Sequence, residues 1–171
     1  MSINNIQVLT FELAGQLYGV DISYTREVVL VSDITKVPKM PEFLLGVINL
    51  RGYVVPVVDF RKKFLLEAKE ETPESRIIIF EINHGDDNLL VGALVDAASK
   101  VLRLDKEDLS PAPQIGTKLD TDFIEGIANL EIGFVFILNA KKIFSVEEIN
   151  LLGLAESMTE EEVQEDESEE E

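Results

Sequence analysis

The feature that most narrows the possible folds is an internal repeat. Ile77-Ile78-Ile79-Phe80-Glu81-Ile82 echoes Val8-Leu9-Thr10-Phe11-Glu12-Leu13. Gly92, Val101 and Pro111 lie 73 residues after Gly19, Val28 and Pro38. Phe123, Gly126, Asn129 and Leu130 lie 80 residues after Phe43, Gly46, Asn49 and Leu50. Gly133-Phe134-Val135 then follows Gly52-Tyr53-Val54 at a spacing of 81, and Lys141-Lys142 repeats Lys62-Lys63. One such match arises easily by chance, but the same ordered series does not arise twice.

The repeated segments read as strands. Val8–Leu13 alternates and returns through Ala14-Gly15-Gln16 as Leu17–Ile22, a hairpin pattern. Ser23–Arg26 suits one helical turn, and Val28–Val31 is a third apolar run. Pro38 and Pro41 mark a loop, since prolines cannot donate to a ladder. Phe43–Leu50 and Tyr53–Asp59 follow as strands, and Arg61–Phe64 begins a short helical turn. The expected fold is all-β in the main. Short strands at regular spacing suggest small barrels or a sandwich, one five-strand unit per copy, packed together with a groove between them. The first unit spans about 8–64, a charged linker 65–75, and the second unit 76–144. Units of that size bury too little surface to stand alone, which is why they are expected to share a core. Before Phe144, glycine and proline placement leaves no room for a helix longer than about three turns. A C-terminal helix is expected over 145–155: Ser145 and Glu148 have capping-box spacing, and Ile149, Leu152 and Leu154 supply an apolar side.

Composition then closes off function classes. There is no Cys, so disulfides, thiol nucleophiles and Cys-based zinc sites are excluded. The single His84 lies in the polar run Asn83–Asn88 and reads as a turn residue without the partners a base or ligand needs. No Gly-rich phosphate loop or Gly-x-Ser-x-Gly motif occurs, and Asp86-Asp87-Asn88 is too short for a calcium loop. No metal or cofactor is expected. The net charge is −18, and ten of the acids lie in 156–171, a segment without basic residues that reads as a disordered, solvating tail. The rest holds 23 acidic and 15 basic residues, a formal −8, which argues against nucleic acid and anionic membrane as partners. The N-terminus lacks a basic, apolar leader pattern and no apolar run reaches membrane-span length, so a cytoplasmic location is expected.

Arg51 stands apart. It lies among apolar residues on both sides, and its counterpart in the second copy falls near Glu131. A charge close to a core is either paired, here to Glu27 or Asp59, or kept for function. The two readings are compatible.

These residues resemble the CheW family of bacterial chemotaxis coupling proteins. The resemblance is carried by Leu17-x-Gly19-Val20-Asp21-Ile22, Glu27-Val28, Pro38-x-x-Pro41-x-Phe43, Gly46-Val47-Ile48-Asn49-Leu50-Arg51-Gly52, Val55-Pro56-Val57-Val58-Asp59-x-Arg61 and Gly92-x-x-Val95-Asp96, and covers roughly Ile6–Leu152. It implies two small five-stranded β-barrels of the Src-homology-like type and a non-catalytic adaptor, monomeric when free, that joins membrane-embedded chemoreceptors to the histidine kinase CheA at receptor arrays. Receptor hairpin tips would lie in the groove between barrels, and the kinase's regulatory domain would meet the adaptor barrel end to barrel end. Carried over by position, the receptor groove would include Leu9, Ile22, Thr25, Glu27, Val28, Arg51, Ala98 and Val101. Kinase contact would involve Ser110, Gln114 and Ile115.

Other readings make different demands. A coupling protein fused to a receiver domain needs roughly another hundred residues beyond Ala155. The regulatory module of the kinase itself would be expected to follow an ATP-binding domain. A small-barrel enzyme or ligand-binding protein would gather Arg51, Asp59 and Asp96 in one closed polar pocket.

Overall fold

The computed structural model describes residues 5–84, 87–111 and 123–155. The chain runs through β1 (Asn5–Leu13), β2 (Gln16–Asp21), β3 (Thr25–Leu30), β4 (Leu44–Leu50), β5 (Tyr53–Asp59), the short helix α1 (Phe60–Lys63), β6 (Arg76–His84), β7 (Asp87–Val95), β8 (Ala97–Asp105), β9 (Leu109–Ser110), β10 (Ile124–Leu130) and β11 (Gly133–Leu138). A second helix, α2, covers 146–155. The fold is mostly β, as the sequence implies, and comprises two packed sheets. One has the order β8-β1-β2-β11-β10-β9 and the other β3-β6-β7-β5-β4. The pairing of each is linear; ring closure into a barrel is not seen among the described residues.

The duplication is visible in the register. Val8 opposes Asp21 in the first hairpin, as Ile77 opposes Leu94 in its copy. Leu9 opposes Val101, as Ile78 opposes Val28. Ile137 runs beside Gly19, as Val57 runs beside Gly92. Both copies carry a bulge at the same step, between Leu44 and Gly46 and between Ile124 and Gly126. The Asp59 amide donates to the Phe43 carbonyl at 2.8 Å, and the Asn139 amide to the Phe123 carbonyl at 2.7 Å. This fixes the spacing at 80 through the end of β11, so the 81-residue match at Gly133 is a slip of one: Gly133 takes the place of Tyr53, not Gly52.

The pairing also exchanges parts between the copies. The hairpin β1–β2 belongs to the first half of the chain but lies between β8 and β11 of the second. The hairpin β6–β7 lies reciprocally between β3 and β5. The sheets therefore do not coincide with the consecutive units 8–64 and 76–144.

The exchange explains why several strands are apolar on both faces, a pattern that belongs to sheets covered on both sides. In β6, Ile77 and Ile79 enter a cluster with Ile48, Val55 and Val57, while Ile78 and Phe80 face a larger core shared by the two sheets. In β1, Val8 joins Leu104, Val135 and Ile137, while Leu9, Phe11 and Leu13 face the shared core. Thr10 is buried as well, and its hydroxyl donates to the Lys100 carbonyl at 2.6 Å. At the centre Phe60 of α1 meets Phe11, Phe64, Phe80 and Phe144 at ring separations of 5.0–6.3 Å. Aromatic clusters of this geometry contribute beyond the area they bury.

Two polar ties hold the ends. Asp59 caps α1 by accepting from the Arg61 amide at 2.9 Å. Ser145 and Glu148 form the expected capping box: the Glu148 amide donates to Ser145 Oγ at 3.1 Å, and the Ser145 amide to Glu148 Oε1 at 2.9 Å. Leu152 and Ala155 dock α2 on the shared core. The acidic segment 156–171 lies outside the described residues.

Candidate functional site

Pairing register assigns the groove candidates to faces, because directly opposed residues in a ladder project to the same side. Leu9 faces the shared core, so its partner Val101 does too. Ala98 opposes Phe11, Thr25 opposes Phe80 and Val28 opposes Ile78, all on that same side. β8 and β3 are the edge strands of their sheets. The result is an apolar lip on each sheet, with Val28 and Val101 left 38% and 49% exposed beside their buried partners Ile78 and Leu9. Ile22 opens the single 3-10 turn Ile22–Tyr24 that delivers the chain from β2 to β3, one residue earlier than the sequence suggests. Asp21 caps this turn by accepting from the Ser23 amide at 2.9 Å.

Glu27 and Arg51 sit on the other side of β3. Glu27 opposes Ile79, which faces the smaller core of its own sheet. Arg51 occupies the β4–β5 turn with left-handed backbone, φ 51°, beside Gly52 at φ 91°. Two such residues make the tight hairpin turn that matches strand twist. In the second copy neither Glu131 nor Ile132 is left-handed and only Gly133 is, so the two turns differ in shape as well as in charge. Arg51 is 72% exposed and forms an ion pair with Glu27, one of the partners expected for it. The pair lines a cavity of about 590 Å³ together with Arg26, Tyr53, Glu81 and Asn88. Arg26 Nε donates to Glu81 at 3.2 Å and Asn88 Nδ2 to the same carboxylate at 3.0 Å. Every acid in this ring is occupied by a cation or an amide, and none is free to act as a base.

Arg51, Asp59 and Asp96 do not converge. Arg51 lines one cavity, and Asp59 lines another with Lys62 and Lys69. Asp96 is bound by Arg61. Nε of Arg61 donates to Oδ1 at 2.7 Å, Nη2 donates to Oδ2, and Nη1 donates to the Glu67 carbonyl at 2.7 Å. The Ala14 amide also donates to Asp96 at 2.8 Å. Burial alone would raise the Asp96 carboxyl, but Arg61 and the Ala14 amide outweigh it and hold it below the usual range. Sequence reasoning passed over Arg61. The signal was there, in a cation two residues after the strand-end Asp59 and inside the motif Val55–Arg61, but its partner lies 35 residues away. Among the described residues no group of three or more His, Asp or Glu is placed to hold a metal. No helix there is long and apolar enough to cross a membrane.

Of the kinase-side residues, Ser110 lies on β9 opposite Ile127, close against Gly126. Gln114 and Ile115 fall outside the described residues.

The CheW-like domain family model matches residues 7–148. The chain belongs to the CheW family. It is 31% identical over 155 residues to the chemotaxis protein CheW of Treponema pallidum, covering 89% of this chain and 91% of that protein. It is 32% identical over 146 residues to CheW of Klebsiella aerogenes, covering 85% and 86%. Among solved structures it resembles the scaffolding protein TtCheW of Thermoanaerobacter tengcongensis, with a TM-score of 0.73, 38% identity, and coverage of 84% of this chain and 94% of that one. Membership in the CheW family agrees with the motifs around Arg51 and with a site built from lips and paired charges rather than from a reactive centre.

Proposed function

We propose that the protein is a non-catalytic chemotaxis adaptor that couples chemoreceptors to the histidine kinase CheA. The observation that carries this reading is the pair of apolar lips, Val28 on β3 and Val101 on β8, projecting to the side of the shared core at the edges of two packed sheets. Exposed apolar side chains on edge strands suit the apolar face of a helical partner. Receptor hairpin tips dock between these lips, on Leu9, Ile22, Thr25, Val28, Ala98 and Val101. The Arg51–Glu27 pair borders the groove across β3 and reads the polar flank of the same partner. The kinase regulatory domain engages Ser110 on β9 together with Gln114 and Ile115. The protein works in the cytoplasm, recruited to receptor arrays at the inner membrane, and it changes kinase output by binding two receptor states differently.

A pull-down of the full chain with a receptor cytoplasmic fragment and with the kinase tests the reading, and binding to neither sinks it. Arg51→Glu separates function from fold. An exposed ion pair contributes about 0–1 kcal/mol, so the melting temperature should stay within a few degrees. Receptor-dependent kinase control should fall sharply. Parallel loss of both would make Arg51 a structural residue only.

A further inference from the structure

The two lips of the groove are copies of one another. Thr25 and Ala98 oppose equivalent residues, Phe80 and Phe11, and Val28 and Val101 oppose Ile78 and Leu9. Both edges are irregular at the same place, between Thr25 and Glu27 on one and opposite the Leu9–Phe11 step on the other. A rod-like partner would meet nearly the same apolar surface whichever way round it lay.

Charge breaks the symmetry. At the spacing of 73 that relates the strands, Glu27 corresponds to Lys100 and Leu30 to Arg103. On β3 the charges are neutralised within the protein: Arg26 bonds Glu81, and Glu27 bonds Arg51. On β8 the exposed Lys100 and Arg103 make no ion pair among the described residues, and the nearest acid along the strand is Asp105 at its end. Arg103 opposes Gln7, two residues from Leu9, and so projects to the same side as Val101. Lys100, at the place of Glu27, projects to the opposite side, so β8 carries one such cation on each flank of its lip, on a body whose formal charge is negative.

Building on the groove reading, we propose that Lys100 and Arg103 set the polarity of docking: the partner is a helix, or helix pair, whose apolar face carries acidic residues along the flank that meets β8. Apolar contact with Val28 and Val101 holds the partner, and the cations choose between two otherwise similar orientations. Complementary charge at an interface rim acts chiefly on orientation and encounter.

The test uses the full chain and the soluble two-helix cytoplasmic fragment of a chemoreceptor, with affinity measured by fluorescence anisotropy at about 50 and about 300 mM salt, where screening differs strongly. Wild type should weaken at the higher salt. The variant Lys100→Ser with Arg103→Leu, which removes both cations, should bind about tenfold more weakly at low salt and lose most of the salt dependence. Adding Leu30→Arg to that variant should recover part of the affinity, because it returns a cation to the equivalent place on the other lip. Unfolding midpoints of all variants should match wild type. The proposal is overturned if the Ser/Leu variant binds within twofold of wild type. It is also overturned if deleting 156–171 raises affinity and abolishes the salt dependence, since the cations would then serve the chain's own acidic segment. Val28→Asp and Val101→Asp test the groove separately: unchanged binding in these would remove the groove itself, whereas lost binding in these beside a neutral Ser/Leu variant would remove only the polarity.

Discussion

Arg61→Ala is the substitution that most directly tests how the interlocked halves are held. Arg61 lies in α1, after β5 of the first half, and Asp96 lies between β7 and β8 of the second, and their side chains are only 11% and 20% exposed. The change removes both guanidinium bonds to Asp96 and the bond to the Glu67 carbonyl, leaving the carboxylate side chain with the Ala14 amide alone. Removing one partner of a fully buried ion pair costs about 3–5 kcal/mol, and the water that reaches Asp96 reduces this to about 2–4 kcal/mol. For a chain of this size the melting temperature should fall by about 4–16 °C. Urea unfolding at pH 7 should give the same free energy, and a double-mutant cycle with Asp96→Asn should show a coupling of at least about 1 kcal/mol. The pH dependence adds a signed check. The folded carboxyl of Asp96 lies below its unfolded value, so its contribution is present above about pH 4 and disappears as the pH falls through the folded value. Arg61→Ala should therefore flatten the acid limb of the stability curve. A loss below about 1 kcal/mol with additive cycles would refute the clasp.

Three further outcomes follow from local geometry. Gly46 has φ 150°, and a Cβ there would lie 2.1 Å from the Thr35 carbonyl oxygen, so Gly46→Ala should destabilise by several kcal/mol. Gly15, at φ 78° with open space around it, should cost only about 1 kcal/mol when changed to Ala; thermal unfolding of the two variants compares them. Ser145→Ala removes the cap of α2 and should cost about 1 kcal/mol, with hydrogen exchange rising first in 146–155. Deleting 156–171 should leave the unfolding midpoint and kinase binding nearly unchanged in paired measurements.

The groove candidates were partly legible in the chain. Val28 and Val101 fall 73 residues apart in matching strands, so their equivalence could be read before any pairing was known. Their projection to one side could not, because a strand's two faces become distinct only when a partner fixes the register. Glu27 illustrates the limit: it is adjacent to Val28 in sequence yet faces the other core, with Arg51. Arg51 itself read as a charge close to a core, whereas its left-handed turn carries it outward. Backbone handedness at a non-glycine residue leaves little trace in sequence.

By itself the sequence determined a duplicated, mostly β chain with hairpin turns at Gly15 and Gly52, a capped C-terminal helix and no reactive cluster. These follow from local rules: alternation, capping chemistry and the residue types that catalysis needs. Tertiary structure alone decided that the copies exchange their first hairpins, that Phe60 is the hub between sheets, and that Arg61 binds Asp96. A repeat shows which segments are alike but not which copy each will pair with. Strand pairing satisfies backbone hydrogen bonds equally well within or between copies. The choice is made by how much apolar surface each arrangement buries, and here reciprocal exchange covers both faces of β1 and β6 at once.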